Sequence, residues 1–140
     1  MATNKSAYLS NILLNWEIGT ATPTPPANLY IALLTTMPTD NTGTALVEVT
    51  GTGYARQVIT PAQWAAITTT TSFTQNAISN TGLLWPAAGS NWGTIVGAGE
   101  YDALTVGNLL RFTTLSTGSQ SINTNNIFSL PATNVTRTES

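Results

Sequence analysis

The sequence predicts an all-β protein, a jelly-roll-like antiparallel β-sandwich carrying one N-terminal amphipathic helix. Three observations predict it. Threonine supplies 27 of the 140 residues, and a β-branched side chain loses rotamer freedom in a helix while suiting a half-buried strand. Short apolar or alternating runs recur between Gly, Pro and Asn clusters, the spacing of sandwich strands. Only one stretch, near the start, has the apolar period of a helix.

The composition narrows the function classes. A chain of 140 residues suits one domain, and 41 % apolar residues are enough for a packed interior. Charged residues make up only 7 %, against about 25 % in ordinary globular proteins. Such surfaces rely on hydroxyls and amides, and much of them suits burial in an assembly. The four basic residues, Lys5, Arg56, Arg111 and Arg137, are scattered and the net charge is −2. Nucleic acid is therefore not an expected partner, because a phosphate-binding groove needs clustered cations. The absence of cysteine removes disulfides, zinc thiolates and thiol nucleophiles. The absence of histidine removes the commonest general base and with it the Ser–His–Asp and Cys–His systems. A Ser–Lys dyad would have to use Lys5, close to the N-terminus where pre-organised geometry is hard to hold. No run approaches the roughly 18 apolar residues of a membrane span, and no signal peptide is visible. The expectation is a protein that is not an enzyme, with no cofactor, no metal and no membrane partner.

The elements follow in order. In "NKSAYLSNILLNW", Tyr8, Leu9, Ile12, Leu13 and Trp16 fall on one helical face. Thr3 or Asn4 is placed to cap the start, and Gly19 lies just past the end. The face either covers an edge of the sheet or docks another subunit, so these five residues are the candidate partner contact. "TATPTPPAN" is an extended, stiff spacer, since each proline fixes φ and removes an N–H. Residues 1–27 thus read as an arm of helix and spacer, and residues 28–140 as the sandwich domain. "LYIALLTT" (29–36) is a fully apolar strand ended by Pro38, Asp40, Asn41 and Gly43. "YARQVIT" (54–60) alternates, with Tyr54, Arg56 and Val58 on one face and Ala55, Gln57 and Ile59 on the other. "AAITTTTSFT" (65–74) is strand-like, with Ile67 and Phe73 as its apolar anchors. "AISNTGLLW" (77–85) and "WGTIVGAGEYDA" (92–103) follow; glycines 93, 97 and 99 on one face mark close approach by a neighbour, or a bulge. "GNLLRFTTL", "QSINTNNIFSL" and "TNVTRT" bring the number of strands to about eight.

The candidate chemical motifs resolve into structural readings. Glu100 and Asp102 share a strand face with about 7 Å between their Cα atoms; the pair reads as the solvated end of a strand rather than a cation site. "DNTGT" (40–44) lacks the repeated acids and closing Glu of a calcium loop, and reads as a turn. "GTGYAR" (51–56) has neither the lysine of a phosphate-binding loop nor a following helix. It reads as a tight turn, with Gly51 and Gly53 at positive φ, launching a strand from Tyr54.

Taken with "ANLYIALLTTMPTDNTGT", "EVTGTGYARQ", "WGTIVGAGEYDA" and "GNLLRFTTL", the chain resembles a family of small tailed-phage virion proteins. The matches are Thr35 to Thr39, Glu48 to Arg56, Trp92 to Thr94, Asp102-Ala103 and Gly107 to Leu110, over roughly residues 5 to 136. Members are commonly labelled tail fibre or minor tail proteins, and similar small β proteins serve as capsid decoration or cement. The resemblance carries no catalytic pattern. The chain departs from it at the end, where "PATNVTRTES" stands in place of a glycine turn and an alternating strand; this leaves the partner of the last strand open. The resemblance implies a virion structural protein, first as a capsid decoration or cement protein on the shell surface. Its partners would be itself, as a dimer or trimer, and the phage major capsid protein. A tail or fibre component is the second reading and a carbohydrate-binding attachment module the third, since Trp16, Trp64, Trp85 and Trp92 are able to stack on sugars.

Overall fold

The computed structural model describes residues 4–71, 74–78 and 82–139. β1 (Asn4–Lys5) leads into the helix α1 (Ala7–Glu17), and β2 (Leu29–Thr36) follows the spacer. Next come β3 (Val47–Glu48), β4 (Gln57–Ile59), β5 (Thr68–Thr71), β6 (Thr74–Ile78), β7 (Leu83–Leu84), β8 (Gly93–Ile95) and β9 (Gly97–Tyr101). β10 (Leu109–Thr114), β11 (Gln120–Ile122), β12 (Ser129–Leu130) and β13 (Thr136–Glu139) complete the described strands, and one 3-10 turn (Pro61–Gln63) lies between β4 and β5. Every strand pair is antiparallel. The fold is thus all-β with one helix, as the sequence predicts.

The strands outnumber the expected eight because several runs are cut. The clearest cut is at Val96, whose N–H donates to the Leu34 carbonyl at 2.8 Å while its own carbonyl accepts from Leu115 N at 3.1 Å. The chain there leaves one sheet for another, so β8 pairs with β11 and β9 joins the central sheet.

That central sheet has six strands in the order β1-β10-β9-β2, with β3 and β4 on opposite ends of β2. Ile31, Leu33 and Ala98 face a cluster that includes Trp85, Trp92, Ile95 and Phe128. Trp85 is fully enclosed and stands edge-on to Phe128 at 5.4 Å between ring centroids. The short ladders β7–β12 and β8–β11 supply this second layer. Alternation sends Ala32 and Leu34 to the opposite face, where both are fully buried. The loop after β2 returns over that face: Met37 Sδ lies against Gly97, and Leu109 lies beside Gly43. A Cβ at Gly97 would meet that sulfur and sit 2.6 Å from the Thr113 carbonyl, which is the close approach the glycines foretell.

The loop is tied by Asp40. Its Oδ1 accepts from Thr42 N at 2.9 Å, Thr42 Oγ1 at 2.7 Å and Thr44 N at 3.1 Å. These bonds, the Thr42 hydroxyl's first, hold the Asp40 carboxyl down at about 2. "DNTGT" is the turn the sequence suggests.

Several local expectations change. The helix cap is Ser6, whose Oγ accepts from Leu9 N at 3.1 Å; Asn4 belongs to β1, and Thr3 lies outside the described residues. Asn4 and Lys5 pair with Phe112 and Arg111 of β10, so the chain turns from strand to helix two residues later than capping logic alone suggests. The far end behaves as expected. Gly19 has φ +73, its N–H donates to Trp16 O at 3.1 Å, and Thr20 N donates to Asn15 O at 2.9 Å, the paired bonds of a Schellman cap.

In "GTGYAR" only Gly53 has positive φ, at +82. Tyr54 N donates to Gly51 O at 3.1 Å, closing a turn with glycine at its third position. Gly51 serves a different end, because a Cβ there would strike the Trp92 indole. Strand β4 begins only at Gln57, leaving Tyr54 and Arg56 in an extended segment before it. Ile67 is 70 % exposed rather than an anchor, and Phe73 lies outside the described residues. The last strand does find a partner: β13 pairs with β6, Thr136 opposite Ile78.

Candidate partner-binding groove

The helix is fastened at its start. Ser6 N donates to Leu110 O at 2.9 Å, the Ser6 hydroxyl donates to Leu109 O, and Ala7 N donates to Asn41 O at 2.7 Å. Beyond that fastening α1 stands off the sheet, and none of its residues is buried. Leu9, Ile12 and Leu13 are half-buried, while Tyr8 and Trp16 are 42 % and 58 % exposed. An isolated helix of 11 residues is marginal in water and depends on burying an apolar face. Here the caps and the fastening hold it, and much of that burial is missing.

All five predicted contact residues line one groove of about 1120 Å³. Pro23, Pro25 and Pro26 of the spacer lie along it, and Ile59, Pro61, Trp64 and Ile67 form a further wall. The buried Glu100 and Arg111 lie at its base. They are register partners across β9 and β10, and Lys5 continues the row on β1. Glu100 is therefore not the solvated strand end that its spacing suggests: it is buried, in register with Arg111 of β10. Asp102 does stand at the strand end, where its carboxylate accepts from Asn108 N at 2.7 Å and Asn108 Nδ2 at 2.8 Å.

A second constellation, none of whose residues lines the groove, was not legible as a unit in the sequence. Arg56 donates from Nε and Nη2 to both Glu48 oxygens, at 2.9 and 2.7 Å. This is the fork-on-fork geometry that makes Arg–carboxylate pairs strong. Tyr54 donates its hydroxyl to the same Glu48 at 2.8 Å and accepts from Leu33 N at 2.9 Å. The guanidinium also lies 3.6 Å over the Tyr101 ring, a cation–π contact. Burial disfavours the Arg56 charge, but the hydrogen bonds and charge of Glu48 outweigh it and hold its pKa above the ordinary value. Burial pushes both tyrosine hydroxyls up, with the Glu48 charge adding to it and the Leu33 amide partly opposing it at Tyr54.

The remaining Arg56 nitrogen reaches the turn between β9 and β10. Nη1 donates to Ala103 O at 2.9 Å and to Val106 O at 2.8 Å. The signal in the sequence was "E-V-x-G-x-G-Y-A-R" itself, which places one of three arginines near an acid in a charge-poor chain. Alternation placed Tyr54 and Arg56 on one side, and they do converge; what it could not give was the partner.

Among the described residues no group of three or more His, Cys, Asp or Glu side chains is placed to hold a metal ion, and no helix is long and apolar enough to cross a membrane. The site is a groove and a pinned turn in a β scaffold. The class that the family comparison supports is a tailed-phage virion structural protein. Residues 4–138 match the family model described as podophage GP4 fiber I protein gp80, and the chain belongs to that family. No curated protein matches the chain.

Proposed function

We propose that the chain is a non-enzymatic structural subunit of the phage tail fibre, assembled with further copies of itself and seated through the groove beside α1. The family match over residues 4–138 carries this reading, because the family is described as a fiber protein. The unburied helix supports the role of the groove. An 11-residue amphipathic helix whose five-residue apolar face is left half open gains its missing burial when a neighbour fills the space. The low charge of the chain, 10 charged residues in 140, suits surfaces that end inside an assembly, since charged side chains are depleted at interface cores.

Decoration of the capsid surface, with the major capsid protein as partner, is the competing location and draws on the same composition. Copy number separates the two. Quantitative mass spectrometry of purified virions is expected to find far fewer copies of this chain than of the major capsid protein. Numbers comparable to the capsid protein would overturn the fibre reading in favour of decoration.

A further inference from the structure

The turn pinned by Arg56 is built against its own local preference. Val106 has φ +57 and Gly107 φ +71, two consecutive left-handed residues in the seven-residue connection from β9 to β10. The first such position favours asparagine, aspartate or glycine. A β-branched residue there is an outlier, and strain of this kind persists only where surrounding contacts impose it. Such contacts are present here: Arg56 holds the Ala103 and Val106 carbonyls, and Asp102 holds Asn108. What the strain achieves is display. Val106 is 85 % exposed and Leu104 50 % exposed, on a segment "ALTVG" with no charge. An asparagine at 106 would relieve the backbone and remove an exposed apolar group, so neither stability nor solvation explains the valine.

The same turn borders the groove. Asp102, the residue that opens it, lines the groove, so a rigid apolar knob and an open apolar cleft share one edge of the molecule. Such a pairing on one chain is self-complementary. A two-fold contact requires that one surface meet a second and be met by it in return.

We propose that Leu104 and Val106 of one copy insert into the groove beside α1 of a second copy, and that the second copy does the same in return. The proposal rests on the reading of the chain as self-assembling, and deepens it by assigning the contact. Leu9, Ile12, Leu13 and Trp16 receive the knob. The spacer prolines give the cleft a stiff wall, and Arg56 acts as the positioning residue that keeps the knob in shape before contact.

The test is self-association of the full chain by sedimentation, with wild type, two variants and the mixture of those variants. Val106→Asn is expected to weaken association by about a hundredfold or more, the loss of two buried valines, one from each copy, while leaving the melting temperature unchanged or higher. Ile12→Asn is expected to weaken association from the other side. Each variant alone then has neither of the two contacts, whereas a mixed pair regains one, because the intact knob of one meets the intact groove of the other. Mixing the two variants should therefore give a heterodimer tighter than either variant's own. Wild-type association undiminished by Val106→Asn overturns the proposal and leaves self-assembly standing. A wild-type chain that stays monomeric at every concentration overturns both. Variants that self-associate normally but fail to enter virions also overturn it, and assign the knob to a different virion protein.

Discussion

Arg56→Met is expected to destabilise the protein by about 3 kcal/mol, the cost of leaving a largely buried carboxylate without its partner. The substitution keeps most of the side-chain length and removes five donors at once. Glu48 then loses both of its guanidinium bonds and keeps only the Tyr54 hydroxyl. The turn at Ala103–Val106 loses its two carbonyl contacts, and Tyr101 loses the cation over its ring. The figure sits at the lower end for buried pairs because the Glu48 side chain is 21 % exposed, so solvent still screens part of its charge. For a chain of this length the melting temperature should fall by about 10 °C. Arg56→Lys should recover little of it, because an ammonium cannot reproduce the bidentate fork. Thermal and urea denaturation of the three proteins check both statements; a lysine variant as stable as wild type would show that charge alone, and not the fork, holds the segment.

Trp85→Ala is expected to cost about 4 kcal/mol. Trp85 is fully enclosed between the central sheet and the short ladders and packs edge-on against Phe128. Its removal opens a cavity where the second layer meets the first, and strands of two or three residues have little ladder energy with which to close it. Trp16→Ala should change stability by less than about 0.5 kcal/mol, since that side chain is 58 % exposed on an unburied helix. The contrast separates the two kinds of tryptophan in this chain, one spent on the core and one left at the groove. Equal losses for both would mean that α1 packs far more tightly than its exposure indicates.

Much of the fold was legible because it depends on period. The apolar run 29–36 became the central strand β2, and the 3.6-residue face became α1. Boundaries were less legible, because tertiary partners set them. Ser6 rather than Asn4 caps the helix since Asn4 is drawn into pairing with Phe112, more than a hundred residues away. "WGTIVGAGEYDA" reads as one strand, yet Val96 bonds with Leu34 and Leu115 in a way that divides it between two sheets. Ile67 looks like a core residue from its type, but it lines the groove and is left exposed among the described residues.

The candidate site followed the same division. The five helix residues were found together because amphipathicity is a local signal, and they do line one groove. The burial of Glu100 was missed because a carboxylate two residues from another looks like a solvated strand end until the sheet sets it between Ile31 and Arg111. The strained turn at Val106 was missed for a different reason. Valine gives no local sign of positive φ, and the residue that imposes it, Arg56, is 50 positions away.

The most direct test of the account is where the protein sits in the particle. Images of virions labelled with an antibody to this chain are expected to show label on the tail fibres and none on the capsid shell. Label spread evenly over the shell would contradict the fibre assignment.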